Sequence, residues 1–501
     1  MGIGNLLVGC IVWLIISSQQ FLRPMQTTVS LANYEGKVVA VDAMCWIHRG
    51  MISSAVANVT GEPCDKYIKF IVSILSVLLS HKITPIMVFD GYDMPTKETE
   101  NQLRRERRDK AREEALAMIE KNGGAINTEI MRKCMQAIHI TPEVIARVME
   151  ICRAMNVRIV VAPYEADAQV SYLCRSGIAY AALSEDSDLL VYGCPRVWFK
   201  LERDGKADEL TLGFNKDPDV KCNTGLLKGL SHRMFIAMCV LSGSDYDNGC
   251  HIHGMGIKLA HRFILQYETL PAVMAFLQSS DAWSKKFPAH LTIKELEAYY
   301  MRVMQIFLHN IVYDVRHDTL RHISPVSDGA TNMEIIRELT QLIRERDGNF
   351  RMVSEGLINP RNGESMSYTM TDKDRELIEG IEFRDIDALY SASMRDATCD
   401  ALMEKSSPDD TDGNCTLPGK SPARKPKQAK ANNPSPPNTP KATRKTTANS
   451  NKSGGKKAKG KEDNNEEVSS LTLSQKRKLR DLIDSSERVA LSRPKRRCTS
   501  T

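Results

Sequence analysis

Between residues 37 and 184, short and nearly unbroken apolar runs alternate with longer stretches of helical periodicity. The runs at 37–43 (KVVAVDA), 85–90 (PIMVFD), 158–163 (RIVVAP) and 180–184 (YAALS) have the length and β-branched content of strands buried on both faces. Between the first two, 66–80 is apolar almost throughout and predicts a helix packed under a sheet. The stretch 96–122 is a charge-rich helix or helical pair, and 142–155 is an amphipathic helix opened by Thr141 as its cap. Strands separated by helices predict an α/β fold with a mostly parallel central sheet flanked by crossover helices. Further on, 234–241 reads as a buried helix, and Gly254-Met255-Gly256-Ile257-Lys258 leads into another. The region 293–390 is helical and irregular, with no legible chemistry.

Composition changes this picture mainly at the two ends. A chain of 501 residues allows two to four domains and ample core. Residues 419–461 hold thirteen Lys/Arg and no Asp/Glu, and 462–501 carry a net +2. The overall +6 therefore hides a net −9 over the first 418 residues. The same 419–461 stretch lacks every large apolar residue, so it cannot offset the entropy of ordering and is expected to be a disordered basic tail. Residues 471–491 have the periodicity of a short helix, and Arg493-Pro494-Lys495-Arg496-Arg497 is a basic cluster of nuclear-import type or a solvated basic end. Ser421, Ser435 and Thr439, each before a proline, are candidate phosphorylation sites or plain linker. The thirteen cysteines form no CxxC pair and sit mostly in apolar runs, as core residues in a reducing compartment. Cys250-His251-Ile252-His253 matches no zinc-knuckle spacing. The apolar run 6–16 is too short to span a bilayer and lacks the preceding basic residues of an export signal.

The chemistry lies in seven carboxylates in or just after apolar stretches. They are Asp42 in VVAVDA, Asp90 in IMVFDG, Glu165 and Asp167 in APYEADAQ, Asp186 and Asp188 in LSEDSDLL, and Asp245 in LSGSDYD. Burying an acid costs several kcal/mol unless it is paired or metal-bound, so a repeated pattern of buried acids calls for a cation. Oxygen ligands suit a hard divalent ion such as Mg²⁺, and a pair of such ions suits phosphodiester hydrolysis. Glu165 and Asp167 are spaced i, i+2 at a strand-to-helix turn, and Asp186 and Asp188 repeat that spacing, so each pair can face one ion or bridge two. The competing reading is a set of separate helix caps. Glu185 has the right charge but is expected to point away. In open parallel sheets, ligands bind outside the carboxyl ends of the strands, where these acids fall.

In this order, MGIGNLL, VVAVDAMCWIHRG, PIMVFDG, VAPYEADAQ, SEDSDLL and LSGSDY resemble the structure-specific 5′ nuclease family over roughly residues 1–370. The family includes the flap and xeroderma-group-G nucleases, and EADA with EDSDLLVYGC and CWIHRG is most similar to its exonuclease branch. The resemblance implies a PIN-like core and a two-Mg²⁺ site on Asp42, Asp90, Glu165, Asp167, Asp186, Asp188 and Asp245, in which Mn²⁺ is able to substitute. It implies catalytic roles for Lys97 and Arg104 in a helical gateway (96–122), with Arg107 and Arg108 as phosphate contacts; the alternative for all four is a solvated charged helix. Gly254, Gly256 and Lys258 correspond to a helix–two-turn–helix that grips duplex DNA, with K⁺ held by Ser242 and Met255, or else to a plain helix start. His48 corresponds to a wedge at the bent duplex, or is a core histidine; Met44 stands where the family has an aromatic residue.

The resemblance further implies 5′→3′ exonuclease activity on double-stranded DNA with nicks, ends or 5′ flaps. It implies 5′-flap endonuclease activity and a nuclear role in mismatch repair, end resection and recombination. The chain would act as a monomer without membrane contact, with mismatch-repair proteins on its tail. The expected division is 1–125 (N-terminal nuclease region), 126–240 (internal nuclease region), 241–395 (helix–two-turn–helix and helical part) and 396–501 (tail). The alternatives are a flap-endonuclease or excision-repair paralogue, and a non-catalytic DNA-binding scaffold. Residues 8–19 read as an insert against the family pattern, of the kind a translated short intron would leave.

Overall fold

The computed structural model describes residues 21–381 except 224, 245, 247–249, 327–333, 347 and 349. Seven strands form one sheet in the order β1-β7-β6-β5-β2-β3-β4. They are β1 (Gln26–Ser30), β2 (Val38–Asp42), β3 (Thr84–Phe89), β4 (Arg158–Val161), β5 (Ala181–Leu183), β6 (Arg196–Phe199) and β7 (Lys206–Thr211). Strands β2 to β6 pair in parallel, and β2 and β3 are buried at every position, as expected of strands covered on both faces. The α/β class and the four strands β2 to β5 agree with the apolar runs. The β1 side of the sheet does not: β7 pairs antiparallel with both β6 and β1, in segments that the apolar pattern left unassigned. Strand β7 (KADELT) alternates buried and exposed positions under a polar composition, so its strand character comes from its neighbours rather than its hydropathy.

The helix predicted at 66–80 forms over Lys66–Ser80, burying Ile68, Ile71, Leu75 and Leu78 against the sheet. Thr141 caps Pro142–Ala154, accepting from the Val144 N–H. The gateway stretch is one helix, Glu98–Lys121, entered through a single 3-10 turn at Pro95–Lys97; it buries only Ala111, Ala115 and Ile119. Its C-terminal half packs on the helix Thr128–Gln136, while its N-terminal half buries no side chain. The region read as helical and irregular contains the long helix Ile293–His309 and also an antiparallel pair, β8 (Ile311–Asp314) and β9 (Thr319–His322).

Residues after 355 run back across the helix Pro142–Ala154. Arg147 bonds Asp374 through Nε at 3.1 Å and Nη2 at 2.6 Å, and Asp65 through Nη2 at 2.7 Å. Arg153 donates to the carbonyls of Glu355 and Gly356 at 2.9 and 3.1 Å. Arg361, on the same returning segment, pairs with Asp93 at 3.1 Å just beyond β3. Among the described residues, no helix is long and apolar enough to cross a membrane. The insert at 8–19, the tail from 396, its helical stretch, its phosphorylation sites and its basic cluster lie outside the described residues, as does Asp245.

Candidate active site

Parallel pairing in register carries the ends of four adjacent strands to one edge of the sheet. Asp42 lies beside Val88, Phe89 beside Val161, and Val41 beside Leu183. Asp42 ends β2 and caps the helix Ala43–Ile52: its Oδ1 accepts from the Cys45 N–H at 3.1 Å and its Oδ2 from the Ser184 hydroxyl at 2.8 Å. Asp90 follows β3 and accepts from the Ala166 N–H at 2.9 Å, which ties the end of β3 to the turn after β4. That turn carries Glu165 at the N-cap and Asp167 in the first turn of the helix Ala166–Arg175. Asp186 and Asp188 follow β5, where the Asp188 N–H donates to Asp186 Oδ1 at 3.0 Å.

These carboxylates feel one another. Burial pushes Asp42 up, and repulsion from Asp90 and Asp186 adds to it against the two hydrogen bonds. Asp90 is raised by burial and by Glu165. Asp167 is raised well above the ordinary range by burial and then by Asp186, Asp42, Asp188 and Glu165. Six of the seven predicted acids thus share one electrostatic environment. Glu185 turns away as expected, pairing with Arg49 at 3.0 Å and accepting from the Lys200 N–H at 3.0 Å.

A donor set made only of carboxylates fits hard divalent cations. Among the described residues, no three of these groups already converge on one point as a finished ligand shell. Most of the lone pairs named above are taken up by hydrogen bonds within the protein. One is not: Asp167 Oδ1 is buried with no hydrogen-bond partner. An orphaned buried carboxylate oxygen costs desolvation without return, and a cation among its acidic neighbours removes both that cost and their repulsion.

Of the predicted cations, Lys97 reaches the acids. It is buried, its Nζ lies 2.5 Å from Glu165 Oε1, and it sits 4.5 Å above the Tyr246 ring. Arg104 is held on its own helix by Glu100 at 3.3 Å, and Arg107 reaches the same carboxylate at 3.5 Å. Arg108 has its Nε buried without a hydrogen bond, and burial lowers its pKa. His48 lies half-buried on the helix that Asp42 caps, with a pKa lowered by burial, so it is neutral near neutral pH.

Away from the acids, Gly254 (φ +79) turns the chain before Gly256, which stands at the N-cap of the helix Ile257–Tyr267 with Lys258 in the first turn. Met255 is buried, and the Ser242 hydroxyl donates to the Cys239 carbonyl at 2.8 Å. Lys286, absent from the expected contacts, brings its ammonium to 3.9 Å from where a Gly254 Cβ would lie, and rests 4.2 Å over Trp283.

Other groups at the site also went unforeseen. Tyr246 and Tyr192 both donate to Glu165 Oε2, at 2.9 and 3.3 Å. The Arg361 charge is felt at Asp90. Tyr246 stood in LSGSDY and Tyr192 in DLLVYG, where tyrosine beside apolar residues reads simply as core.

Residues 15–111 match the XPG N-terminal domain, and residues 156–245 match the XPG I-region. Exonuclease 1 of Danio rerio is 31% identical over 316 residues, covering 62% of this chain and 37% of that protein. Exodeoxyribonuclease 1 of Saccharomyces cerevisiae is 35% identical over 260 residues, covering 51% of this chain and 36% of that protein. The match therefore spans less than half the length of these relatives. Among solved structures, the catalytic core of Rad2 in complex with DNA substrate is 18% identical with a TM-score of 0.42, covering 74% of this chain and 100% of that one. Flap endonuclease-1 of Methanococcus jannaschii is 19% identical with a TM-score of 0.38, covering 74% of this chain and 97% of that one. The two matched domains contain the strands and turns that carry the acids, and exonuclease 1 proteins are among the relatives this chain resembles.

Proposed function

We propose that this chain is a Mg²⁺-dependent 5′→3′ exonuclease on double-stranded DNA with 5′-flap endonuclease activity. The observation that carries this reading is the unpartnered Asp167 oxygen among clustered acids, at the carboxyl ends of four adjacent parallel strands. Two divalent cations, when bound, supply a Lewis-acidic environment for water and neutralise charge on the departing 3′ oxygen; Mn²⁺ is able to substitute for Mg²⁺. The ligands are Asp42, Asp90, Glu165, Asp167, Asp186 and Asp188, with Asp245 as the seventh.

The chain's own groups do the rest. Lys97 releases Glu165 and donates to a phosphate oxygen where negative charge develops, and Arg104 does the same from further along the gateway. Arg107 and Arg108 hold phosphates of the strand passing beneath that helix. The backbone N–H groups after Gly256, with Lys258, grip the uncut duplex; Ser242 and the Met255 carbonyl hold K⁺ there. His48 faces the bend in the duplex.

The enzyme acts as a nuclear monomer in mismatch repair, end resection and recombination, with no membrane partner. Its basic tail adds salt-sensitive DNA affinity and contacts mismatch-repair proteins. The chain divides at 125, 240 and 395, and residues 8–19 are an insert that sequencing of the transcript tests.

The deciding assay uses 5′-labelled nicked, blunt and flap duplexes. Cleavage should require Mg²⁺, release mononucleotides or short oligonucleotides from a nick, and disappear in Asp186→Ala while DNA binding persists. Undiminished cleavage by that variant overturns the metal assignment. Cleavage confined to flaps favours the flap-endonuclease reading, and DNA binding without cleavage by the native chain favours a scaffold.

A further inference from the structure

Glu165 differs from the other acids in how completely its side chain is held. Lys97 occupies Oε1, while the hydroxyls of Tyr246 and Tyr192 both donate to Oε2. Behind Tyr192 stands Asn310, which is fully buried and lies 118 residues further along the chain, where the helix Ile293–His309 gives way to β8. Its Nδ2 donates to the Tyr192 hydroxyl oxygen at 2.8 Å, and its Oδ1 accepts from the Ile311 N–H at 2.8 Å.

The second bond fixes the first. A backbone N–H is only a donor, so the atom facing Ile311 must be the amide oxygen, and the NH₂ must face Tyr192. A phenol that receives a hydrogen bond on its oxygen has its own hydrogen left to give. Two acceptors are in reach, the Glu165 carboxylate and the Tyr246 hydroxyl oxygen, and Tyr246 passes its own hydrogen to the same Glu165 oxygen. The relay has one direction by either route: amide to phenol to carboxylate, directly or through the second phenol. The Tyr192 ring is itself fixed, buried with its centroid 5.0 Å from that of Phe307.

We propose that Tyr192 and Asn310 are positioning residues for Glu165, holding its Oε2 edge so that Oε1 can exchange Lys97 for a divalent cation without the carboxylate swinging away. The inference rests on the metal-dependent reading of the acid cluster. Two phenols on one oxygen leave the other oxygen as the variable position. Lys97 is the natural occupant in the absence of metal, and its ammonium lies over the ring of Tyr246, one of the two phenols. The region beyond the I-region match thereby enters the site through Asn310.

The test measures Mn²⁺ binding to the full-length, DNA-free protein by electron paramagnetic resonance, beside the thermal midpoint and the Mg²⁺ dependence of cleavage. Tyr192→Phe keeps the ring and removes the hydroxyl. It should weaken Mn²⁺ binding by about tenfold, the usual effect of losing a group that orients a ligand. Asn310→Asp is nearly isosteric, keeps the acceptor for Ile311 and draws the Tyr192 hydrogen toward itself; it should weaken binding to a similar extent. Phe307→Leu disturbs the same ring without touching the hydroxyl, and should lower the midpoint while leaving Mn²⁺ affinity in place.

Unchanged affinity in Tyr192→Phe, or in Asn310→Asp should the first variant not fold, overturns the proposal. Equal weakening in Phe307→Leu also overturns it, since packing would then be the cause. Native protein that binds Mn²⁺ but cleaves none of the duplexes refutes the nuclease reading alone. Native protein that binds no Mn²⁺ refutes the positioning role as well.

Discussion

Gly91 crosses the end of β4 so closely that a Cβ there would lie 1.9 Å from the Ala162 carbonyl oxygen. The Gly91 N–H also donates to the Tyr164 carbonyl at 2.7 Å, so the two strand ends are clasped where Asp90 and Glu165 emerge. Gly91→Ala must force them apart, because the obstacle is backbone. The expected cost is about 3 kcal/mol, at the upper end for overpacking. Urea unfolding checks the stability, and activity should fall further than stability, since both flanking acids shift.

Lys97 and Arg104 should separate in their effects. Lys97 is buried against Glu165, whereas Arg104 is on a partly exposed stretch and is held by Glu100. Lys97→Ala is expected to lower the cleavage rate by about 100-fold or more, in the range for losing one preorganised donor at a developing charge. Arg104→Ala should cost less. Single-turnover rates, with DNA affinity measured in Ca²⁺, check this; a large loss of affinity in Lys97→Ala would make it a binding residue instead.

Asp374 anchors the returning C-terminal segment. Burial alone would raise its pKa, but hydrogen bonds from Arg147, Thr371 and Tyr368 outweigh burial and hold it at about 2, below its ordinary 3.8. Its contribution to stability is therefore complete above 3.8 and is lost as pH falls through about 2. Asp374→Ala leaves Arg147 with only the half-exposed Asp65 as its charge partner and should cost about 3 kcal/mol near neutral pH. Denaturation midpoints measured down this pH range should fall in the native chain, and fall less in Asp374→Asn.

His232 gives a second acid-sensitive point. Burial, aided by the Arg175 charge, lowers its pKa from 6.5 to about 4, while Nε2 donates to the Val191 carbonyl at 2.8 Å. The unfolded chain binds the proton more readily, so this stability is present above 6.5 and declines as pH falls toward about 4. Because Val191 ends the short helix that begins at Asp188, acidification should loosen that acid's support. His232→Asn should flatten the pH dependence of unfolding in this window, and an unchanged slope would assign it elsewhere.

Acids in apolar runs made the acid cluster legible, because burying carboxylates at Asp42, Asp90, Asp167 and Asp188 together is too costly to occur by chance. The same contrast located β2 to β5. It was blind where side chains do two jobs. Tyr192 and Tyr246 pack like core residues while their hydroxyls hold Glu165, and Asn310 is polar in an otherwise apolar stretch, with its partner far away in sequence. Strands β1 and β7 escaped because they are polar in composition and take their order from antiparallel pairing, and β6 because its four residues are too short a run to read alone. Arg361 reaches Asp93 only through the fold of the returning segment, which no local pattern encodes.

The strand order has a consequence for a chain still being made. β2 and β3 come from the XPG N-terminal match, β4 and β5 from the I-region match, and the later pair flanks the earlier pair on both sides. While the ribosome has released only the first of these, β2 and β3 expose both outer edges, and Asp42 and Asp90 have none of the other five acids of the cluster. The acid cluster is thus incomplete in the nascent chain at least until β5 and the turn behind it have emerged. The bare strand edges of that interval are where a chaperone would be needed.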